Sequence, residues 1–137
     1  MTTQTTNQTR VTRTLGLNHV NLVVTDVARS QAFYEEALGF EYVRTDMGIT
    51  FLTTPGTGDL LALQQAGGDL DRLSGKQRQP GDMGGVDHIG FAADPDTLDE
   101  LVAAVEAAGG ALLMQLGEGA ERTTFVTDPD GYVLQLR

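Results

Sequence analysis

His19 and His88 are the only two histidines of the chain, and each stands near the start of a short apolar run. The first run is Leu17-Asn18-His19-Val20-Asn21-Leu22-Val23-Val24 and the second is Val86-Asp87-His88-Ile89-Gly90-Phe91-Ala92-Ala93. Each is followed by an amphipathic segment that ends in glycine, Gly39 in one case and Gly109-Gly110 in the other. The landmarks keep nearly constant spacing: 69 residues between the histidines, 70 from Gly39 to Gly109, and 73 from Gly58 to Gly131. Slow drift of this kind is what small loop insertions produce in an internal repeat. At the offset of 73, Leu60-Leu61-Ala62-Leu63 lies over Val133-Leu134-Gln135-Leu136, so Ala62 falls on Gln135. His19, Ala62, His88 and Gln135 thus form a repeat-related set of two imidazoles, one methyl and one amide. The expectation is two half-sites joined by the repeat, with the closing strand of each module facing the histidine that opens it. The pattern names no substrate.

The elements that must position these residues follow from the periodicity. Residues 17–24 are rich in Val and Leu and read as a strand. Thr25 or Asp26 can cap the helix that follows, in which Ser30, Phe33, Tyr34, Ala37 and Leu38 recur at helical spacing, and Gly39 ends it. Residues 40–44, 49–53 and 60–64 read as three further strands, with turns at Met47-Gly48 and Pro55-Gly56-Thr57-Gly58. The second half repeats the order. A strand over 86–93 precedes a helix whose apolar face is Leu98, Leu101, Val102 and Val105, with capping-box spacing from Thr97 to Glu100. Strands follow over 111–116, 122–127 and 132–137. Between the halves, residues 66–85 are broken by six glycines and a proline and read as a linker, long enough to cover a pocket as well. The fold class is therefore α+β: two pseudosymmetric βαβββ modules, residues 15–65 and 86–137, whose curved sheets enclose one cavity. Residues 1–14, rich in Thr and Gln, read as a disordered tail without the apolar core of a secretory signal.

Composition narrows the function classes. At 137 residues with a hydrophobic fraction of 40%, the chain can bury a core as a soluble globular protein. No apolar run approaches the ~20 residues of a membrane helix. The net charge of −10 argues against nucleic acid, whose phosphates need clustered Lys and Arg. It favours cationic ligands or simply a soluble surface. With no cysteine there is no disulfide frame and no thiolate nucleophile or ligand, which fits a cytoplasmic location.

The doubled order of strand, helix and three strands resembles the vicinal oxygen chelate superfamily, which includes glyoxalase I, extradiol dioxygenases, fosfomycin-inactivating enzymes and bleomycin-resistance proteins. Asn18-His19-Val20 and Asp87-His88-Ile89-Gly90-Phe91 match that family's first-strand ligand positions, and Asp128-Pro129-Asp130-Gly131 before Tyr132-Val133-Leu134-Gln135-Leu136 matches its closing segment. The resemblance covers residues 15 to 137. It implies that His19, His88 and Gln135 are metal ligands. Metal-dependent members usually carry a carboxylate where this chain has Gln135, and some glyoxalases carry a second where it has Ala62. Two neutral imidazoles and an amide place no charge on a divalent cation, so the site is expected to be a weaker one and a poorer base. Such a set suits Zn, Ni, Fe or Mn with waters completing the shell.

Strand parity extends the site. Ala62 and Gln135 are expected to face the cavity, and Gln64 shares a face with Ala62 by the period of two. Gln64 could replace a missing ligand or serve as a hydrogen-bonding group. The offset of 73 sets Ile49, Phe51 and Thr53 over Arg122, Thr124 and Val126, and Phe51, Arg122 and Thr124 are assigned to the cavity. Arg122 either holds an anionic substrate or is a surface arginine at a strand start. Three functions compete. The first is a glyoxalase-like, metal-dependent enzyme of lyase or isomerase type, which stabilises an enediolate or oxyanion of a small oxygen-chelating substrate. Its base is not evident, Glu118 and Glu121 being the nearest guesses. The second is a metal-free small-molecule binding protein of the bleomycin-resistance type. Extradiol ring cleavage stands behind both, because those enzymes use a third histidine that is absent here. By the same resemblance a homodimer is expected.

Overall fold

The computed structural model describes residues 15–75 and 78–137. The proposed tail, residues 1–14, lies outside the described residues. Each half of the chain builds one four-stranded mixed sheet. In the first half, β1 (Val20–Val24), α1 (Val27–Leu38), β2 (Glu41–Asp46), β3 (Ile49–Thr53) and β4 (Leu61–Gln65) give the strand order β1-β4-β3-β2. In the second, β5 (Ile89–Phe91), α3 (Leu98–Ala107), β6 (Ala111–Leu116), β7 (Thr123–Thr127) and β8 (Val133–Leu136) give the matching order β5-β8-β7-β6. The first strand of each half pairs in parallel with the last, and the remaining pairs are antiparallel. The closing strand therefore lies beside the strand that the histidine precedes. The fold is α+β with two related βαβββ units.

Local chemistry explains the helix ends. Asp26 sits in an extended conformation and accepts from the N–H groups of Ala28 and Arg29 at 3.0 and 3.3 Å, satisfying two orphan donors of α1. Gly39 adopts φ 76° at the other end, where its N–H reaches the Tyr34 carbonyl. The capping box expected at Thr97 does not form. Asp94 instead accepts from Asp96 N–H at 2.9 Å and starts a short 3-10 turn, Pro95–Thr97, which feeds directly into α3. Several element bounds also differ from the sequence expectation. The strand over 17–24 begins only at Val20, the strand over 86–93 shrinks to three residues, and the linker contains a short helix, α2 (Asp69–Ser74). None of the described helices is long and apolar enough to cross a membrane.

Both helices pack into one core. Phe33, Tyr34 and Ala37 of α1 and Leu98, Val102 and Val105 of α3 join Leu22, Val24, Leu52, Leu61 and Leu63 of one sheet and Val126, Leu134 and Leu136 of the other. Each fully buried Leu, Val or Phe side chain contributes roughly 1.5–3 kcal/mol relative to exposure, so the shared core is the main force joining the halves. Polar ties add direction. Tyr34 Oη donates to Asp128 Oδ2 at 2.7 Å, and Asp128 Oδ1 accepts from the N–H groups of Asp130 and Tyr132. Asp130 accepts from Arg29 Nη2, Ser30 Oγ and Thr25 N–H, and Tyr132 Oη donates to the Val23 carbonyl. The Asp128-Pro129-Asp130-Gly131 turn is thus a clamp between the halves. Burial raises the Asp128 carboxyl despite its three donors, and burial with the neighbouring Asp128 charge pushes Tyr34 well up.

Candidate functional site

The register sorts side chains onto two faces of each sheet. Leu22, Leu61, Leu63 and Leu52 lie on the helix side of the first sheet, so Asn21, Ala62 and Phe51, which pair at neighbouring positions, share the opposite face. His19 lies two residues before Asn21 and meets Phe51 edge-on, with ring centroids 5.5 Å apart at 76°. In the second sheet Leu134 and Leu136 take the helix side, and Gly90, Gln135 and Phe125 share the other. His88 lies two residues before Gly90 and meets Phe125 edge-on at 5.2 Å and 88°. The two halves have built the same arrangement twice.

Each imidazole is also oriented by the residue before it. His19 Nδ1 lies 2.7 Å from Asn18 Oδ1, and His88 Nδ1 lies 2.6 Å from Asp87 Oδ2. Those oxygens only accept, so Nδ1 is the donor in each contact, and in the neutral ring the lone pair is then on Nε2. A second oxygen that fixes tautomer and ring plane is the usual support of a metal-ligating histidine. Gln135 is held in the same way: its Nε2 donates to Thr123 Oγ1 at 3.2 Å, while its Oε1 lies near the Gly90 backbone, 3.7 Å from where a Cβ would stand. The free donor atoms are therefore two imidazole nitrogens and one carbonyl oxygen, a set compatible with a borderline divalent cation. Among the described residues no group of three or more His, Asp or Glu side chains gathers as a metal cluster.

The remaining sequence assignments separate. Phe51 is on the His19 face, but it and Ala62 are buried and form the floor of that half-site. Gln64 is engaged at both ends, accepting from Asn21 Nδ2 at 2.7 Å and donating to Asp71 Oδ1 at 2.9 Å, so it ties β1 to α2 in the hydrogen-bonding role. Thr124 and Arg122 are on the wrong side for the inward placement. Thr124 pairs with Leu136 on the helix face and is fully buried, and Arg122 reaches Asp99 of α3 at 2.9 Å. The reason is one residue. Phe51 pairs with Ala62 and Phe125 with Gln135, so the segment joining each pair is one residue shorter in the second half, and the offset of β3 to β7 is 74 rather than 73. A single-residue slip turns every side chain of a strand over. Phe125, not Thr124, is the partner of Phe51. Glu118 and Glu121 lie in an exposed 3-10 turn between β6 and β7. Neither makes a side-chain hydrogen bond or ion pair with the half-sites among the described residues.

A cavity of about 760 Å³ lies at the seam of the two halves, lined by Asn21, Val23, Gln64, Met83, His88 and Tyr132, with residues of α2 and of 82–84 in its wall. Of the assigned site residues it contains His88 and Gln64. The sequence reading missed Asn18 and Asp87, whose signal was their place directly before each histidine. It also missed Thr123 and Arg44, the latter with its guanidinium carbon 4.4 Å from the Phe51 ring centroid.

The family model for the Glyoxalase/Bleomycin resistance protein/Dioxygenase superfamily matches residues 16–136. The chain belongs to this superfamily. Solved structures of similar fold include a hypothetical protein from S. aureus, with TM-score 0.73 and 21% identity over 91% of this chain and 94% of that one. A glyoxalase-related enzyme from Fulvimarina pelagi gives TM-score 0.71 and 23% identity over 90% and 87%. A mutant of the fosfomycin resistance protein FosX from Listeria monocytogenes gives 0.67 and 20% over 91% and 90%; it was solved with Mn(II) and a dihydroxypropylphosphonic acid. At these identities the likeness is one of fold. No curated protein matches the chain.

Proposed function

We propose that this superfamily member is a glyoxalase-like, divalent-metal-dependent enzyme of lyase or isomerase type acting on a small oxygen-chelating substrate. The observation that carries the reading is the doubled histidine arrangement: two imidazoles at repeat-related positions, each with Nδ1 tied to a preceding side-chain oxygen and Nε2 left free. A purely structural histidine does not require that support twice. His19, His88 and Gln135 would hold Zn, Ni, Fe or Mn. The metal would supply Lewis-acid polarisation of substrate oxygens. The protein's own part is orientation. Thr123 turns the Gln135 oxygen, Asn18 and Asp87 fix the two rings, and Phe51 and Phe125 keep water from one edge of each imidazole.

A second reading, a metal-free small-molecule binding protein, is favoured by the seam cavity and by the lack of a carboxylate at residues 62 and 135. Metal analysis of protein purified without chelators separates the two. A stoichiometric divalent ion that disappears in His19→Ala and His88→Ala supports the enzyme; no metal uptake in the wild type leaves the binding protein.

We further propose modules spanning residues 15–65 and 86–137 joined by 66–85, in a cytoplasmic homodimer. The edge strand β6 has no charged residue in its six positions and exposes Leu112, Leu113 and Leu116, at 42, 54 and 54%. An uncharged apolar edge is suited to pairing with its own copy across a two-fold axis. Self-pairing of β2, the corresponding edge of the first sheet, would set Glu41 against Asp46.

A further inference from the structure

The two half-sites match at their histidines and phenylalanines, and among their differences two change what the half-site offers a ligand. One is Ala62 against Gln135. The other is on the edge strands: Arg44 pairs with Phe51 where Met114 pairs with Phe125. Arg44 lies over the ring that His19 meets edge-on, 4.4 Å from its centroid. Cation–π contact of this kind fixes the guanidinium plane and leaves its edge donors free.

The charges around Arg44 sharpen the point. The chain carries 19 carboxylate side chains against nine lysines and arginines. Arg29, Arg72 and Arg122 are paired with Asp130, Asp69 and Asp99. Arg44 has no carboxylate within ion-pair distance among the described residues, although Glu41 and Asp46 flank it on the same strand. It is exposed, and its ring partner is shared with a proposed metal-ligating histidine. A planar fork held beside such a histidine, with its donors unspent, is arranged to take two oxygens of an oxyanion.

We propose that Arg44 is a specificity-determining residue that binds an oxyanion group, carboxylate or phosphonate, of the substrate. This deepens the metal-dependent reading and rests on it for the adjoining metal. The halves then divide the work. The second supplies His88 and Gln135 to the metal, and the first supplies His19 and a fixed cation. Arg44 holds the anion by bidentate hydrogen bonds and takes no part in proton transfer.

The test uses the full chain and two probes, methylphosphonate and acetate, followed by the chemical shift of the Arg44 Nε–H group and of both histidines. Titrations are run with and without Zn(II), and zinc affinity is measured separately. Wild type should bind at least one anion saturably, and the tighter of the two identifies the oxyanion class. Arg44→Met, which places in the first half the residue that the second half already carries, should weaken anion binding at least about tenfold with zinc affinity unchanged. Arg44→Lys keeps the charge without the fork and should fall between. The proposal is overturned if Arg44→Met binds both anions as tightly as wild type, if wild type binds neither, or if the variant loses zinc together with the anion. Failure of zinc to bind wild type overturns the metal reading instead, and the zinc-free titration still decides the role of Arg44.

Discussion

Tyr34→Phe removes one oxygen from the clamp between the halves and nothing else. The Tyr34 ring is fully buried, edge-on to both Phe33 and Phe40, so the phenylalanine keeps the packing. What is lost is the 2.7 Å hydrogen bond to Asp128, one of three donors to a carboxylate that is 3% exposed. A hydrogen bond to a charged group, lost so that a buried acceptor is left short, costs about 1.5–3 kcal/mol, or roughly 10- to 150-fold in the folding equilibrium. The cost depends on pH in a definite sense. Burial raises the Asp128 carboxyl in the folded protein, and the Tyr34 hydrogen bond opposes that rise. A carboxyl raised on folding contributes stability that is complete below its unfolded value and lost as pH rises through its folded value. Removing the tyrosine donor lifts the folded value further, so more stability is lost and the deficit of the variant must grow from pH 4 to pH 7. Urea denaturation followed by circular dichroism at both values measures it. A deficit below about 0.5 kcal/mol at pH 7, or one larger at pH 4 than at pH 7, would refute the reasoning.

Three further outcomes are expected. Gly110→Ala places a Cβ 2.3 Å from the Thr127 carbonyl oxygen and 2.9 Å from Phe33 Cε1, so at least about 2 kcal/mol of stability should be lost in a thermal melt. Gln135→Glu should tighten metal binding by about tenfold or more in a calorimetric titration, because a carboxylate adds charge where the amide adds a dipole. Leu113→Glu puts like charges near the two-fold axis of a paired β6 edge and should shift the sedimentation of the dimer to that of a monomer without altering the circular dichroism.

Much of this architecture is written in local chemistry. Asp26 and Gly39 mark the ends of α1 because a carboxylate cap and a left-handed glycine are backbone requirements that hold whatever lies around them. Residues 49–53 and 111–116 match their strands to the residue. The repeat shows because each half solves one packing problem, burying a helix on a four-stranded sheet. The side-chain faces of β7 were not legible by the same means. They depend on the length of the connection before β8, and one residue there moves Phe125 to the site face and Thr124 to the core. Arg44 was hidden for a related reason. Its register follows an irregularity between Tyr42 and Arg44, so simple alternation along β2 does not predict which side it takes. The short β5 reflects contacts distant in sequence: only Ile89 to Phe91 find partners on β8.

The central claim, that the two histidines serve one metal, can be tested with the histidines themselves. The chain has two, so its imidazole protons give two sets of proton NMR signals, assignable with His19→Ala and His88→Ala. Mn(II), added in small steps to the full protein, broadens protons close to its binding site. The account predicts that both sets broaden together, with one midpoint and saturation at one ion per chain, and that either alanine substitution removes the broadening of the surviving histidine. Broadening of one histidine alone, of both with different midpoints, or of neither, would contradict it.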